Sequence, residues 1–328
     1  MKQSHLPDEI MFMELGFNGT FTFKQEDFPQ HVNYVRIEGN DSNKYLFQKE
    51  HLWNIAAKRA KNEKLMFVDS DIAPLEDVDW FKQTYDALDK CLFTQGFRSI
   101  TYLDQNDVPG GRVRSSYTAQ IVENGKLSYA VPGGVYCIAK TTLQIMGYFN
   151  YLPVGGGDNV FWSELAGLLN HYPWFTLCRR ENVPICMETL KKLTGKSLLD
   201  EVFVDVYHFY HGESKGRSYR QRHYMMMTQF PWMDSLIMED EQGLLAWVDT
   251  SHYFYEVMSQ LPKVNNDPFI ANRLFGDNFR YLEFSQELER LIKQKFEKYK
   301  KKYQQRSIIA KIMRDLVMKY SARGNRND

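Results

Sequence analysis

Short apolar runs alternate with amphipathic segments along the first half of the chain. Residues 9–15, 33–37 and 65–68 are apolar runs of strand length. Between the second and third runs, residues 45–61 place charges on one helical face and apolar side chains on the other, namely Leu46, Trp53, Ala56, Ala57 and Ala60. A further helix is predicted from about Asp77 to Lys90. Strand, helix and strand in this order predict a right-handed crossover and an α/β fold with a parallel sheet.

The second half of the chain has a less regular pattern. The polar, glycine-rich residues 104–118 predict a mobile loop, and residues 117–129 predict a hairpin that turns at Asn124-Gly125. Strands are predicted at 135–139 and 202–210, and helices from Thr141 onward, at 158–169 and at 218–228. The composition changes after Leu261-Pro262, and residues 285–320 predict a charged amphipathic helix. We therefore divide the chain into a domain at 1–262 and a helical tail at 263–328.

Composition and charge limit the class of protein. The chain has 328 residues, 43% hydrophobic and 15% aromatic, which is enough for a core and excludes wholesale disorder. The charges cancel overall, but residues 290–328 carry thirteen Lys or Arg residues against Glu297, Asp315 and Asp328. A basic tail suggests an anionic partner such as a membrane surface or nucleic acid, and the alternative is a solvated helix packed on the body.

The cysteines and the apolar segments bear on the compartment. Four cysteines are scattered without a Cys-x-x-Cys pair, which indicates reduced thiols and neither a disulfide framework nor a zinc site. A secretory signal and an apolar run of spanning length are not evident in the sequence. These features predict a cytoplasmic protein.

A pair of carboxylates follows the third apolar run. Asp69 and Asp71 stand one residue apart directly after Val68. Since residues i and i+2 of an extended chain point to the same side, both carboxylates can face one point where the strand ends. Two such oxygen ligands suit Mg²⁺ or Mn²⁺, which commonly keep phosphate oxygens in their coordination shell. The alternative is an ordinary turn, because Asp and Ser are frequent turn formers.

Two glycine-rich segments follow. Gly133 and Gly134 precede strand 135–139. Paired glycines at such a place either allow a ligand to approach the backbone closely or form a tight turn. Residues 155–157 are all glycine and precede Asp158 at the start of a predicted helix. Asp158 either caps this helix or acts as a general base at the edge of a cleft. A helix cap does not need three preceding glycines, so the glycine run favours the role of Asp158 as a residue of the site.

Histidines and cations cluster after the strand at 202–210. His208 and His211 are followed by glycines and by Lys215 and Arg217. An imidazole can complete a divalent-metal shell begun by two carboxylates. The cations could neutralise a diphosphate, for which a planar guanidinium is well suited. The alternative for each histidine is an ordinary strand residue.

Together these segments resemble the GT-A class of nucleotide-sugar-dependent glycosyltransferases. The order of motifs is similar: Asp-x-Asp, Gly-Gly, Gly-Gly-x-Asp-Asn, and His-Gly followed by basic residues. Residues 133–147 and 156–159 resemble the Gly-Gly-Glu-Asp-Asn region of galactosyltransferase-like C-terminal segments. Residues 47–54 resemble the Trp-Gln-Lys-Glu-Arg-Leu-x-Asn helix of bacterial and viral members, and residues 208–222 resemble their His-x-x-His-Gly…Arg-x-Tyr-x-x-Arg block. The resemblance spans roughly residues 8–248.

The resemblance implies a fold and a set of roles. The expected fold is a Rossmann-like, mixed but mainly parallel sheet flanked by helices, with a C-terminal helical extension. Asp158 would be the catalytic base, and Asp69 and Asp71 would hold the metal with His211, or else His208, as third protein ligand. The residues expected to bind the donor and its diphosphate are Asp69, Asp71, Lys215, Arg217, Lys49 and Asn54, and those expected to bind the acceptor are Gly133, Gly134 and Asn159.

The implied activity is transfer of a sugar from a UDP-sugar to an acceptor hydroxyl, with Mn²⁺ or Mg²⁺ and with inversion. The acceptor would be a saccharide, a lipid-linked sugar or a protein, and nucleic acid is not expected as a partner. The basic tail would contact the membrane surface peripherally. Two other functions remain open from the sequence: a non-catalytic relative that binds a sugar or nucleotide, and a metal-dependent nucleotidyltransferase.

The chain departs from the family pattern at two places. Gly157 stands where many relatives carry a glutamate that helps to hold the acceptor sugar, so the acceptor is not implied by the resemblance. GT-A domains also open with a strand and helix that bind the base and ribose, whereas residues 9–15 resemble the second strand of such domains. We therefore expect the chain as given to bind UDP-sugars poorly unless a missing N-terminal segment is restored.

Overall fold

The computed structural model describes residues 6–75, 78–125, 130–149, 152–153, 155–166, 180, 182–210, 236–251, 255 and 258–259. Several predictions lie outside the described residues. They concern His211, Lys215, Arg217, the helix at 218–228 and the tail at 263–328.

Strands and helices alternate through most of the described chain. The strands are β1 (Ile10–Phe17), β2 (Val32–Gly39), β3 (Lys64–Val68), β4 (Ile72–Pro74), β5 (Cys91–Gln95), β6 (Ser99–Leu103), β7 (Pro109–Ser115), β8 (Val135–Ala139), β9 (Ser197–Leu199), β10 (Asp205–His208), β11 (Ile237–Glu239) and β12 (Leu245–Trp247). The helices are α1 (Lys49–Arg59), α2 (Trp80–Lys90), α3 (Tyr117–Asn124), α4 (Lys140–Ile145), α5 (Gly157–Ala166) and α6 (Asn182–Thr194), and single 3₁₀ turns lie at Gln25–Asp27 and Asp41–Asn43.

Two mixed four-stranded sheets form the centre of the fold. In the first, with strand order β3-β8-β5-β9, strand β8 runs antiparallel to both neighbours and β9 is parallel to β5. In the second, with order β4-β10-β6-β7, β10 is parallel to β6 and the other two pairings are antiparallel. Strands β1 and β2 form a separate parallel pair, and β11 and β12 form a hairpin. The α/β class is confirmed, but the prediction of a mainly parallel sheet is wrong.

The first sheet is covered by helices on one face and by α2 together with the second sheet on the other. Alternate side chains of β8 point to opposite faces, so Tyr136 and Ile138 belong to one apolar cluster and Val135 and Cys137 to another. The first cluster takes its helical side chains from α1, α3, α4, α5 and α6, including Trp53, Trp162 and Met187. The second takes its helical side chains from α2, including Trp80 and Leu88. A strand that is buried on both faces explains why β8 reads as an almost continuous apolar run.

Two local predictions are corrected by the structure. Residues 109–115, which were expected to be part of a mobile loop, form β7 and pair with β6. The expected hairpin at Asn124-Gly125 is the end of helix α3, where Gly125 has φ +65° and its N–H donates to the carbonyl of Ile121 at 2.8 Å. A left-handed glycine after asparagine is used both in hairpin turns and at helix C-termini, so the sequence motif alone does not separate them.

Other predictions hold with narrower bounds. Helix α1 begins at Lys49 and not at Tyr45, which has φ +65° and cannot continue a helix. The predicted strand at 202–210 is reduced to β10. Cys91 and Cys137 are buried free thiols, as expected, and Cys186 is a half-buried free thiol.

Candidate functional site

One cleft brings the sequence motifs together. Its volume is about 2570 Å³. Its walls include residues of β1 and β3, which belong to separate sheets. The predicted site residues that line it are Lys49, Asp69, Asp71, Gly133, Gly134, Asp158, Asn159 and His208. These residues come from segments that are far apart in the chain, so their meeting is a property of the fold.

The two carboxylates follow β3 at its carboxyl end, as predicted. The N–H of Asp69 donates to the carbonyl of Gly134 at 2.8 Å, which ties the end of β3 to the start of β8. The carbonyl of Asp71 accepts from the N–H of Phe209 at 2.8 Å, which ties it to the end of β10. The Asp-x-Asp segment is thus held by backbone hydrogen bonds between both central sheets.

Lys49 links two of the site carboxylates. Its Nζ lies 3.0 Å from Oδ1 and 3.2 Å from Oδ2 of Asp158, and 3.5 Å from Asp69. It also lies 4.8 Å from the centre of the Trp53 ring, a cation–π distance. Burial opposes the charged form of Lys49, but the carboxylates of Asp158 and Asp69 outweigh it and raise the lysine pKa above its usual range. The lysine is therefore a fixed positive charge at the centre of the site.

Asp158 lies in the first turn of α5, after two glycines with positive φ. Gly155 and Gly156 have φ of +87° and +97°, a backbone conformation that side chains disfavour. The turn is closed by a hydrogen bond from the N–H of Asn159 to the carbonyl of Gly156 at 3.0 Å. The glycine run is therefore needed for the backbone path that brings Asp158 to Lys49.

Gly133 provides space for the carboxylate of Asp158. A Cβ atom at this position would lie 2.7 Å from Asp158 Oδ2. The backbone here is held by Gln95, which is fully buried and whose Nε2 lies 3.1 Å from each of the carbonyl oxygens of Val131, Pro132 and Gly133. The close approach predicted for this glycine is thus made by a side chain of the protein.

His208 lies at the edge of the Asp71 carboxylate. Its ring is tilted 35° against Tyr102 at a centroid distance of 4.8 Å, and its Nε2 lies 3.7 Å from Asp71 Oδ2. Its Nδ1 lies 2.9 Å from the carbonyl oxygen of Phe209. A carbonyl can only accept, so in the neutral ring Nδ1 carries the hydrogen and Nε2 has its lone pair. This is the tautomer that a metal ligand needs.

Asn54 is placed away from the other predicted site residues. Its amide donates to the carbonyl of Phe149 and accepts from the N–H of Phe149, both at 3.0 Å. The side chain is buried and does not line the cleft. The structure therefore gives Asn54 a bracing contact between α1 and the chain after α4.

Part of the metal-ligand set predicted from the sequence lies within the described residues. Within them, no group of three or more His, Cys, Asp or Glu side chains is arranged to hold a metal ion. Asp69, Asp71 and His208 nevertheless supply two carboxylates and an imidazole to one cleft, a donor set suited to Mn²⁺ or Mg²⁺. Burial raises the pKa of Asp69 to about 6, with Lys49 acting against this shift and Asp158 and Asp71 adding to it. A cation beside Asp69 would favour its ionised form.

Sequence reasoning missed one acid beside this site and the aromatic side chain that supports His208. Glu50 is only 3% exposed, and its pKa is affected by Lys49, Asp158 and Asp69. Its position in the first turn of a helix is common for an acid, because the helix dipole favours negative charge there, so the sequence pattern does not single it out. Tyr102, which packs on His208, lies on β6, a strand that the polar pattern did not predict.

Comparisons with known proteins give no relative for this chain. No family model matches it, and no curated protein or solved structure does so either. In the part of the chain that the structure describes, no helix is both long and apolar enough to cross a membrane.

Proposed function

We propose that this chain is a metal-dependent glycosyltransferase. It would transfer a sugar from a nucleotide-diphosphate sugar, first of all a UDP-sugar, to an acceptor hydroxyl with inversion. The observation that carries the proposal is the convergence of four separate motifs on one cleft. Asp69 and Asp71, the glycines at 133–134, Asp158 and His208 all line it. These are the motifs on which the resemblance to GT-A enzymes rests.

Asp158 is the proposed general base. It would take the proton of the acceptor hydroxyl while the hydroxyl oxygen forms a bond to the anomeric carbon. The bond between that carbon and the diphosphate oxygen breaks, and its electron pair leaves with the nucleoside diphosphate. Lys49, hydrogen-bonded to Asp158 at 3.0 Å and 3.5 Å from Asp69, would hold the base at a fixed position beside the diphosphate pocket.

A divalent cation would be held by Asp69 and Asp71, with His211, or else His208, as the third protein ligand. When bound, it neutralises negative charge on the diphosphate. In its neutral form, His208 would carry the hydrogen on Nδ1 and the lone pair on Nε2, because Nδ1 lies 2.9 Å from a backbone carbonyl oxygen. The tilted contact with Tyr102 would keep the imidazole oriented toward Asp71.

One observation favours the non-catalytic alternative. Lys49 lies within 3.2 Å of both carboxylate oxygens of Asp158. Both oxygens that would accept the proton of the acceptor hydroxyl are therefore already in contact with the lysine ammonium group. The chain would then bind a sugar nucleotide in the same cleft without transferring the sugar.

The two functions are separated by measuring nucleotide release and donor binding. Purified protein with Mn²⁺ is assayed against UDP-, GDP- and CMP-sugars, and binding of the same donors is measured by calorimetry. If the chain is an enzyme, Asp158→Asn abolishes turnover but keeps Mn²⁺-dependent donor binding, whereas Asp69→Ala loses both. Asp107→Asn, which changes an exposed acid in the β6–β7 turn, is the control and should leave both unchanged.

Each other outcome has a defined meaning. Donor binding without release of nucleotide from any donor supports the non-catalytic function. A product that retains a nucleoside monophosphate supports nucleotidyl transfer. If neither binding nor turnover is detected with any donor, the proposal of a sugar-nucleotide site is contradicted.

A further inference from the structure

Glu50 is a buried acid beside the candidate site without a visible partner. It follows Lys49 in the first turn of α1 and is only 3% exposed. Neither of its carboxyl oxygens has a hydrogen-bond partner among the described residues. Buried polar groups are rarely left in this state, because the desolvation of a carboxyl group costs several kcal/mol unless it is compensated. Such a group needs an explanation.

The side chain of Glu50 is packed against Gly157. A Cβ atom at residue 157 would lie 2.3 Å from Glu50 Oε1, 2.6 Å from Cδ and 3.0 Å from Cγ. Gly155 and Gly156 have positive φ, but Gly157 is the first residue of α5 and does not. The glycine at 157 is therefore required for space and not for its backbone conformation. Glu50 occupies the volume that a side chain at 157 would need.

This contact forms half of a junction between two helices. Lys49 and Glu50 are consecutive at the start of α1, and Gly157 and Asp158 are consecutive at the start of α5. Lys49 pairs with Asp158 at 3.0 Å, and Glu50 packs on Gly157. Two adjacent contacts fix both the distance and the rotation of one helix start against the other. A single ion pair would fix only the distance.

The charge state of Glu50 suits this role. Burial raises its pKa to about 8, with Lys49 acting in the opposite direction and Asp158 adding to the increase. At neutral pH the acid is therefore mostly protonated. Because a neutral Glu50 carries no negative charge, it does not compete with Asp158 and Asp69 for the ammonium group of Lys49. The packing contact and the ion pair can therefore form together.

We propose that Glu50 is a positioning residue for Asp158, which it holds in place through its packing on Gly157. It does not line the cleft. The role in activity rests on the proposed function, in which Asp158 is the base, whereas the packing role does not. The two parts are tested by different measurements.

The packing role is tested by a double-mutant cycle on stability. Gly157→Ala is made in the wild type and in Glu50→Ala, and unfolding midpoints are measured for all four proteins. In the wild type the added methyl group has no space, so the midpoint should fall. In the Glu50→Ala background the space is open and alanine is the better helix residue, so Gly157→Ala should leave the midpoint unchanged or raise it. An equal fall in both backgrounds would overturn the proposal.

The positioning role is tested with the donor that the wild type turns over. Glu50→Gln keeps the shape and neutrality of the acid, so its kcat should stay within about threefold of wild type. Glu50→Ala should lower kcat at least about tenfold, with KM within about threefold, because only the base is displaced. Glu188→Gln, at an exposed acid on α6, is the control.

The outcomes distinguish this inference from the proposed function. If Glu50→Gln is as inactive as Glu50→Ala, a charged carboxylate is required and the neutral positioning role is wrong. If Glu50→Ala retains full kcat, Glu50 does not position the base. If the wild type turns over no donor, the proposed function fails, and the stability cycle alone decides whether Glu50 holds the start of α5.

Discussion

Lys49 should be the residue on which the integrity of the site depends most. Its ammonium group lies between Asp69 and Asp158, with Trp53 beneath it. Lys49→Met keeps the aliphatic stem against the indole ring but removes the positive charge. The variant therefore leaves partly buried carboxylates without their cation, and we expect it to unfold more readily than the wild type.

The magnitude follows from burial. Breaking a fully buried ion pair by removing one partner costs about 3 to 5 kcal/mol. Here the three side chains are 20% to 24% exposed, so water relieves part of the loss. We expect a loss of about 2 to 3 kcal/mol in the free energy of unfolding, or roughly 5 to 10 °C in the melting temperature. The difference in stability between the variant and the wild type should grow as the pH rises. Lys49 lowers the pKa of Asp69, so without it this carboxyl keeps its proton to higher pH in the folded state, and its ionisation at high pH destabilises the fold.

The matched control is Lys58→Met on the same helix. Lys58 is 49% exposed and lies 3.6 Å from Glu239, so its loss should cost less than about 1 kcal/mol. Urea unfolding of both variants at pH 6 and pH 8, with and without Mn²⁺, tests the reasoning. Mn²⁺ should stabilise Lys49→Met more than the wild type, since a cation can replace the ammonium charge. Equal losses for the two lysine variants would show that Lys49 does not hold the site together.

Three further predictions concern other parts of the site. The pKa of Glu50 is raised from 4.5 to about 8, so the folded state keeps a proton that the unfolded chain releases, and wild-type stability should fall as the pH rises through this range. In urea unfolding at pH 5.5, 7 and 8.5, Glu50→Gln should show a smaller loss of stability with pH than the wild type. An unchanged pH dependence would contradict the raised pKa of Glu50. Gln95→Ala leaves buried carbonyls without their donor and should cost about 2 to 4 kcal/mol in unfolding free energy, whereas a loss below 1 kcal/mol would mean that the segment is held by other contacts. His208→Ala should weaken Mn²⁺ binding, measured by calorimetry, at least about tenfold with little change in melting temperature. Asn54→Ala should lower the melting temperature and leave Mn²⁺ binding unchanged, because its amide contacts Phe149 and does not line the cleft.

The sequence predicted the helices and strands whose apolar residues repeat with a clear period. It predicted less of how these elements are arranged. Helix α1 and strand β3 were recognised because apolar side chains repeat at helical or strand spacing. The direction of β8 was not, because an apolar run buried on both faces looks the same whichever way the strand runs. The pattern likewise missed β7, whose residues are mostly exposed. An exposed antiparallel edge strand needs no apolar period, so periodicity cannot detect it.

The candidate site was predictable where the chemistry depends on residue type. The carboxylates at 69 and 71 could be selected because they stand one residue apart at the end of a predicted strand, and the acid at 158 because three glycines precede it. The partner of Asp158 could not be selected in this way. Lys49 is distant in sequence, and its role depends on how the start of α1 approaches α5. Asn54, one turn along the same helix, was assigned to the donor, but the helix rotation directs its amide to Phe149.

Two glycines in the site have the same function although they belong to different motifs. Gly133 and Gly157 each lack a Cβ atom that would come within 3 Å of a carboxyl oxygen, from Asp158 and Glu50 respectively. Neither position is explained by a need for positive φ, which Gly134, Gly155 and Gly156 show instead. Glycine-rich motifs of this kind therefore combine two separate requirements, backbone conformation and space for an acid. When alanine replaces a glycine that provides space, the loss of stability can be reversed by shortening the acid that occupies this space. When alanine replaces a glycine with positive φ, shortening the acid does not reverse the loss, because the strain lies in the backbone. This difference identifies which requirement applies at each position.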